Sequence, residues 1–380
     1  MDTRIDTFIY RDEDGLRFAN SLVLGPELRI EPTEGGIPEL VGVGQPHGEV
    51  VVHPSGTGDD RPRIQAALDT PGVARVVLAA GYFSVGSPIN VQRYQVLAGM
   101  GPRRTWLTTL PGFSDAVVNL GDTSSAVESL GINGGDVGIH GNGADLRVEG
   151  VLVHGAATGI DLTGERLSVR GSRVEMFTLR GVSMQSGKQA SITDVDVEGT
   201  LAPGSVGIWL AALDGASVNG SMVRNAETGI GTLAGSGYGI TGVWLNRCPK
   251  AVVASGTRRI ALAGVTVHDC TRGFGFTTCT EVALTGCGVD TPEGYTLSLH
   301  ACNDVAVNAF HAEMSLASTE PGVSVSGGST LVVFTSIRRT GGVLLTPYEL
   351  DVSGAGGRVL FLQQNFTSGK INSGGKYVAL

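Results

Sequence analysis

The stretch LAGVTVHDCTRGFGF, residues 262–276, can be laid over ITGVWLNRCPKAVVA, residues 240–254, with matching apolar positions. The repeat extends further, because eight segments have apolar residues at their first and sixth positions. They are VEGVLVH (148–154), VRGSRVE (169–175), ITDVDVE (192–198), VNGSMVR (218–224), ITGVWLN (240–246), LAGVTVH (262–268), LTGCGVD (284–290) and VNAFHAE (307–313). Their starts lie 21 to 26 residues apart, and this period indicates a solenoid whose units pack on their neighbours.

Each repeat has room for about three short strands and no helix. Every segment is followed by another short apolar run, which usually opens with Gly, as in GIDL at 159 and GFGF at 273. Strands without helices predict a parallel β-helix rather than a leucine-rich repeat. The third position is Gly in six of the eight segments, which permits the left-handed backbone of a sharp bend. Equivalent side chains of successive coils should then lie about 4.8 Å apart.

The composition favours a turn-rich protein with a large core. The 380 residues include 58 Gly, 41% are hydrophobic and 17% are charged. No run of 18 apolar residues occurs, so no membrane-spanning segment is predicted. The formal net charge is −9 and the chain has four lysines, which disfavours nucleic acid and anionic membranes as partners.

The cysteines and the first residues indicate the compartment. Five cysteines, an odd number without CxxC spacing, disfavour a disulfide framework and a zinc site, and we expect reduced core thiols. The start MDTRIDTFIYRDEDGLRF lacks a basic stretch followed by an apolar core, so it is no secretory signal. The expected location is the cytoplasm, or outside the cell if a leader has been removed.

One helix is predicted ahead of the repeats. Within GTGDDRPRIQAALDTPGVARVVLAAGYFSV (56–85), Asp59 or Asp60 is placed to cap a helix with Pro62 in its first turn. We expect this helix to cover the open end of the solenoid and its unpaired strand edge.

The same region resembles a known family. The order Gly-x-Gly-Asp-Asp, the helix with Gln65 and Ala66-Ala67, VVLAAGYFSV (76–85) and VLAGMG (96–101) is similar to the N-terminal signature of the pectate-lyase-like superfamily, in its rhamnogalacturonase and epimerase-like branch. The resemblance implies an all-β fold, a single-stranded right-handed parallel β-helix with a short N-terminal capping helix. Known members are mostly carbohydrate lyases, hydrolases, transferases and epimerases, besides phage tail spikes.

The extent of the resemblance suggests that the chain is one structural unit with three parts. Residues 48–345 are predicted to form the β-helix, residues 1–47 an N-terminal extension, and residues 346–380 a C-terminal β segment or cap. The catalytic motifs of polygalacturonases, pectate lyases and mannuronan epimerases are missing, so no catalytic residue is carried over. The Gly-rich runs GIHGNG (138–143) and GSGYGITG (235–242) do not lead from a strand into a helix, and we interpret them as turns rather than phosphate loops.

A site must therefore come from outward-facing side chains. By strand alternation the last residue of each repeat faces solvent on one sheet. On adjacent coils this column and its neighbours concentrate six charged residues, more than a merely solvated face needs. They are Arg173, Glu175, Asp194, Asp196, Glu198 and Arg224.

The acidic members suit glycosidic chemistry. Asp194, Asp196 and Glu198 are predicted to alternate along one strand about 6.5 Å apart, and Glu175 to stack about 4.8 Å from Glu198. Like charges this close favour the neutral form of one group, so a carboxylic acid able to donate a proton is expected. Glycosidases use such an acid and a second carboxylate about 5 to 9.5 Å away. These four residues are the catalytic hypothesis.

The basic and aromatic neighbours suit substrate binding. Arg173 and Arg224 either bind substrate hydroxyls or a carboxylate, or neutralise the acids into an inert salt-bridge ladder. Trp209 and Trp244 are predicted to point outward near these coils, where a sugar ring can stack on them, and His154 completes the binding set. The acidic triplet also fits ligation of Ca²⁺, and no other cofactor is expected.

The sequence favours a carbohydrate-active enzyme, a glycoside hydrolase, transferase or lyase, that cleaves or rearranges glycosidic bonds of an oligo- or polysaccharide. Because the chain is acidic, a neutral or weakly charged glycan is the expected partner. The alternative is a non-catalytic glycan-binding or spike-like β-helix protein, which as a homotrimer would bury its outer ladders against sister subunits. A third alternative is a tailoring enzyme for a small metabolite.

Overall fold

The chain folds as a parallel β-helix of three strand ladders, as shown by a computed structural model. The structure describes residues 48–121, 123–290, 294–313, 322–335 and 337–340, and individual strands and turns outside these ranges. Each coil runs through ladder A, bends into ladder B and then into ladder C, and a loop leads to ladder A of the next coil. Ladder C is a 13-stranded sheet, whereas ladders A and B together form a 26-stranded sheet. The predicted β-helix with three strands per repeat is confirmed.

Two long strands, Arg180–Thr193 and Val206–Asn219, pass through both ladders A and B. The other strands of ladder A are Ile89–Val91, Ala116–Leu120, Val137–Ala144, Thr158–Glu165, Thr228–Leu233, Lys250–Ser255, Arg272–Thr277, Leu297–His300, Val323–Ser326, Leu350–Asp351 and Ile371–Asn372. Those of ladder B are Gly48–Val52, Val73–Leu78, Val96–Gly99, Ala126–Glu128, Arg147–Glu149, Leu167–Arg170, Ser236–Thr241, Arg258–Ala263, Thr280–Thr285, Asn303–Asn308, Thr330–Phe334, Val359–Phe361 and Tyr377–Ala379. Ladder C contains Gly81–Val85, Thr105–Thr109, Gly131–Asn133, Leu152–His154, Arg173–Phe177, Asp196–Gly199, Met222–Arg224, Trp244–Asn246, Thr266–His268, Gly288–Asp290, Phe310–Glu313, Ile337–Thr340 and Gln364–Asn365.

Strands also occur in the two terminal segments. In the N-terminal segment three antiparallel pairs form, namely Thr3–Ile5 with Leu22–Leu24, Phe8–Asp12 with Gly15–Ala19, and Leu28–Pro32 with Pro38–Gly42. C-terminal strands such as Tyr377–Ala379 pair in parallel within the ladders. The predicted boundaries at residues 47 and 345 lie outside the described residues, so the division of the chain stays a prediction.

The single helix among the described residues spans Arg61–Leu68 and packs on the first strands of the solenoid. Asp59 Oδ1 accepts hydrogen bonds from the backbone N–H groups of Arg61 and Gly86, both at 3.0 Å. Asp60 is buried and accepts instead from the N–H of Ser55 at 2.8 Å. The two acids therefore fix the start of the helix, and its role as a cover for the open end stays a prediction.

The third position of the repeat has the left-handed backbone that its glycines predict. The φ angle lies between 50° and 61° at Gly150, Gly171, Asp194, Gly220, Gly242, Gly264, Gly286 and Ala309. Asp194 and Ala309 adopt this conformation although a Cβ disfavours it. The coil geometry therefore fixes the bend, and Gly relieves its strain.

The core repeats from coil to coil. The first and sixth residues of the segments point inward, as in Val148 and Val153, which are 0% exposed. All five cysteines are free and buried, as expected. The backbone N–H of Cys248 lies 3.3 Å from Cys270 Sγ, so equivalent thiols stack on successive coils.

The interpretation of the Gly-rich runs as turns is wrong. GIHGNG lies wholly within the strand Val137–Ala144, and most of GSGYGITG lies within Ser236–Thr241. Within GIHGNG the next coil requires glycine at 138, because a Cβ there would lie 2.6 Å from the carbonyl oxygen of Gly159. In the described part of the chain, no helix has the length and apolar character needed to cross a membrane.

Candidate functional site

Ladder C carries the predicted charged cluster on its outer face. Parallel pairing places equivalent outward residues of successive coils side by side. One column reads Leu152, Arg173, Asp196, Met222 and Trp244, and the next reads His154, Glu175, Glu198, Arg224 and Asn246. These columns are the ones that the sequence predicts.

Two arginines hold three carboxylates in an ion-pair network. Arg173 Nε lies 2.6 Å from Glu175 Oε1 and 3.3 Å from Asp196 Oδ2. Arg224 Nη2 lies 3.1 Å from Asp196 Oδ2, and Arg224 Nε lies 3.0 Å from Glu198 Oε2. The five side chains are between 23% and 36% exposed, so the network is half-buried and still open to a ligand.

Two features at the margins of the network bear on its chemistry. His154 Nδ1 lies 3.3 Å from Glu175 Oε2, which gives this carboxylate a titratable neighbour. Asp196 Oδ1 is buried and has no hydrogen-bond partner among the described residues. An unsatisfied buried oxygen costs stability and calls for a reason, of which a functional role is one.

In the network the arginines pair with the acids, which is one of the two roles that the sequence left open for Arg173 and Arg224. The expectation of a protonated carboxylic acid rested on like charges standing together, whereas Arg173 and Arg224 lie between the three carboxylates. The guanidinium groups offset the repulsion on which that expectation depended. Neutral and charged ligands would both meet a face with three acidic and two basic groups.

Asp194 does not belong to the network. It was predicted to alternate with Asp196 along one strand, but it occupies the left-handed bend at φ 54° and is exposed. The strand begins only at Asp196, so period-two alternation does not extend back across the bend. Among the described residues no group of three His, Cys, Asp or Glu is arranged to hold a metal ion.

The two predicted tryptophan platforms lie on different faces. Trp244 stands on ladder C beside Met222 and is 37% exposed. Trp209 lies on ladder A, where the guanidinium carbon of Arg180 sits 5.2 Å from its ring centroid. Both were predicted to point outward near the coils of the cluster, and the structure places Trp209 on those coils but on ladder A rather than on ladder C.

A cleft on ladder C, at the N-terminal side of the network, was not predicted from the sequence. Its volume is about 350 Å³ and it is lined by Tyr82, Trp106, Thr108, Asn133 and His154. The signal was present in the alternation of exposed Tyr82 with buried Phe83 and of Trp106 with buried Leu107. The cleft lies ahead of the regular repeats, where the spacing of the repeats can no longer be used to align one coil with the next.

A second polar site on ladder A was also missed. His140 Nδ1 lies 3.6 Å from Asp161 Oδ2, and Gln185 Nε2 donates to Asp161 Oδ1 at 3.1 Å. The interaction with Asp161 raises the pKa of His140, against the opposing effect of burial. Burial alone would raise the pKa of Asp161, but hydrogen bonds from His140, Ser183 and Gln185 outweigh it and lower this pKa. Aligning GIHG with GIDL places these residues on neighbouring coils.

The His140–Asp161 pair predicts a pH-dependent contribution to stability. Because the pKa of His140 is raised, its contribution is complete below its ordinary value of 6.5 and is lost as pH rises through the raised value. Because the pKa of Asp161 is lowered, its contribution is present above 3.8 and is lost as pH falls through the lowered value. Both charges therefore stabilise the fold between about pH 4 and pH 6.5.

His140→Gln should lower the free energy of unfolding by about 0.5 kcal/mol near pH 5.5, and by less near pH 8, since the imidazole is 44% exposed and solvent screens the pair. Urea denaturation at the two pH values measures the difference. The variant Asp161→Asn should remove the pH dependence of the His140→Gln effect. An effect of equal size at both pH values would contradict the pairing.

Comparison with known proteins identifies the family. The family described as Rhamnogalacturonase A/epimerase, pectate lyase-like matches residues 51–276, which is more than half of the chain. A comparison with curated proteins gives no match.

Solved structures share the fold at low sequence identity. The tailspike protein 3 of bacteriophage CBA120 has a TM-score of 0.67 at 11% identity, covering 86% of this chain and 59% of its own. The catalytic domain of a GH87 α-1,3-glucanase, in complex with tetrasaccharides, has a TM-score of 0.60 at 11% identity, covering 83% and 69%. The Dettilon tailspike protein has a TM-score of 0.55 at 12% identity, covering 85% and 68%. At these identities the similarity establishes the fold.

Proposed function

Because the chain belongs to the rhamnogalacturonase A/epimerase, pectate-lyase-like family, we propose that it is a carbohydrate-active enzyme that cleaves or rearranges glycosidic bonds of an oligo- or polysaccharide. The observation that carries the proposal is the ladder C network, in which three carboxylates and two arginines gather on adjacent coils and stay partly exposed. The fold it shares with a glucanase domain in complex with tetrasaccharides supports the same substrate class.

The contacts divide the carboxylates between two roles. Asp196 contacts both arginines, and so does Glu198, which suits the base or nucleophile of glycosidic cleavage. Glu175 contacts Arg173 and His154, so it is the least compensated of the three and is assigned as the proton donor. Glu175 and Glu198 are paired in the register of ladder C, so their side chains lie on the same face of neighbouring coils.

The charge of the chain favours a neutral substrate. The formal net charge is −9, and the network itself has one more carboxylate than guanidinium groups. An acidic polysaccharide would be repelled on approach, whereas hydroxyl groups can bind to carboxylates and guanidinium groups alike.

An activity screen tests the proposal. Wild type is incubated with neutral and acidic glycans, scoring new reducing ends and the absorbance of unsaturated products. We expect turnover of a neutral glycan and at least a tenfold loss of kcat in Glu175→Gln, Asp196→Asn and Glu198→Gln, because each loses an ionisable group in the network. The absorbance distinguishes elimination from hydrolysis.

The matched control is Glu149→Gln, which removes an exposed carboxylate from ladder B. It should keep the wild-type rate, and circular dichroism should show that all four variants are folded. Network variants that keep the rate of wild type would contradict the catalytic assignment.

A second candidate is a non-catalytic glycan-binding protein of the spike type. It is favoured by the compensation of all three carboxylates by arginine, since a binding face needs no proton donor. In this case oligosaccharides bind without turnover and the chain assembles as a homotrimer. Light scattering with size-exclusion chromatography measures the assembly, and a monomer that turns over glycan contradicts this candidate.

A further inference from the structure

The cleft beside the network is built on two aromatic side chains of neighbouring coils. The register of ladder C pairs Tyr82 with Trp106, and Trp106 with Gly131 of the following coil. Tyr82 is 72% exposed. A large exposed aromatic side chain is costly to solvate, and a row of two marks a surface that a ligand can cover.

Gly131 fixes the position of the indole. An ideal Cβ at Gly131 would lie 2.6 Å from the backbone oxygen of Pro102 and 2.7 Å from both Cδ2 and Cε3 of Trp106. The benzo part of the ring therefore occupies the space that a side chain at 131 would fill, and it covers the backbone of the next coil. Gly131 itself is buried in consequence. The indole can lie in this position because residue 131 has no side chain, so the methyl group of an alanine at 131 would displace it.

A polar column runs along the other side of the cleft. Thr108, Asn133 and His154 follow one another on successive coils, and Asn133 is exposed. His154 also contacts Glu175, so the cleft and the charged network meet at this residue. One side of the cleft is therefore aromatic, and the other side has amide, hydroxyl and imidazole groups.

We propose that this cleft binds a pyranose ring of a neutral glycan, whose chain continues across His154 toward Glu175. The apolar face of the sugar stacks on Trp106 and Tyr82, and its hydroxyls bind Asn133 and Thr108. The volume of about 350 Å³ is at the small end of ligand sites, which suits a short sugar segment. None of the lining residues is Arg or Lys, so a uronate has no guanidinium or ammonium partner there. The inference deepens the proposed function and rests on it.

Calorimetric titration with neutral tetrasaccharides of glucose, in α-1,3, α-1,4, β-1,3 and β-1,4 linkage, and with tetragalacturonate tests the cleft. We expect a neutral tetrasaccharide to bind wild type, and its Kd to rise at least tenfold in Trp106→Ala and in Gly131→Ala. Gly131→Ala keeps the indole and displaces it. Tyr94→Phe is the control, because it alters an aromatic side chain in the turn between ladders A and B, outside the cleft, and should leave the Kd unchanged.

The outcomes separate this inference from the catalytic assignment. The proposal that the cleft binds a neutral glycan is contradicted by any of three results. These are unchanged affinity in Trp106→Ala and Gly131→Ala, a preference for tetragalacturonate, and no binding to wild type. Weakened binding in these variants, together with no turnover by wild type, supports the cleft as a glycan-binding site and contradicts the proposal that the protein is an enzyme. If Gly131→Ala does not fold by circular dichroism, Trp106→Ala alone decides.

Discussion

Replacing Gly187 with Ala is expected to lower the free energy of unfolding by at least about 3 kcal/mol. An ideal Cβ at Gly187 would lie 1.6 Å from the carbonyl oxygen of Gly164 and 2.3 Å from its carbonyl carbon. Both atoms belong to the backbone of the preceding coil, so no side-chain rotation can relieve the contact. The two coils would have to separate, which breaks the parallel hydrogen bonds between them. Urea denaturation followed by circular dichroism measures the loss.

The matched control for this prediction is Gly239→Ala. Gly239 also lies in a strand, Ser236–Thr241, but the nearest atom to its ideal Cβ is the carbonyl oxygen of Ala216 at 4.0 Å. Its stability should stay within about 0.5 kcal/mol of wild type. If Gly187→Ala unfolds at the same urea concentration as Gly239→Ala, close backbone approach does not constrain the solenoid.

These glycines show what a spacing pattern leaves undecided. GIHGNG was interpreted as a turn because Gly favours turns, yet Gly138 is needed because a Cβ there would lie 2.6 Å from the carbonyl oxygen of Gly159 on the next coil. Gly serves both purposes. A glycine in a turn can be told from a glycine in a close contact only when the register between coils is known, since the oxygen of Gly159 that forbids a Cβ at Gly138 lies about twenty residues away in the chain.

The register itself was predictable from the apolar pattern. A shift of one residue would turn Val174 and Val197 outward, so the inward positions alone fix Glu175 beside Glu198. The same pattern misplaced Asp194, because alternation was carried across a bend that ends the strand. It also grouped Trp209 with Trp244, since the sequence gives the direction of a side chain relative to its strand but not which of the outward faces of a coil it joins.

Contacts beyond the columns could not be predicted from the sequence. Alternation places Arg173 near Glu175 and Asp196, but the long side chains decide which carboxylate each guanidinium contacts. The aromatic cleft depends on Gly131 having no side chain beneath Trp106. Such contacts are settled by packing between coils, and the chemistry of this face depends on them.

Replacing Arg224 with Met is expected to lower the free energy of unfolding by about 2 kcal/mol, between the values typical of exposed and of buried ion pairs. Arg224 is 23% exposed and contacts both Asp196 and Glu198, and Met keeps the apolar stem while removing the charge. Arg173 alone would then face three carboxylates. Urea denaturation at low and high salt measures the loss, which should shrink at high salt because ions screen the repulsion.

Two further variants assign the loss to the network. Arg224→Met combined with Glu198→Gln should recover most of the stability, because it removes a carboxylate that has lost its partner. Arg170→Met, at an exposed arginine of ladder B that forms no ion pair within the described ranges, should cost less than about 0.5 kcal/mol. If Arg224→Met is as stable as wild type, the charges do not hold the coils together. The cost of keeping Asp196 Oδ1 buried without a partner would then be explained by a ligand, since functional sites often reduce stability, and the network would be a site rather than a structural ladder.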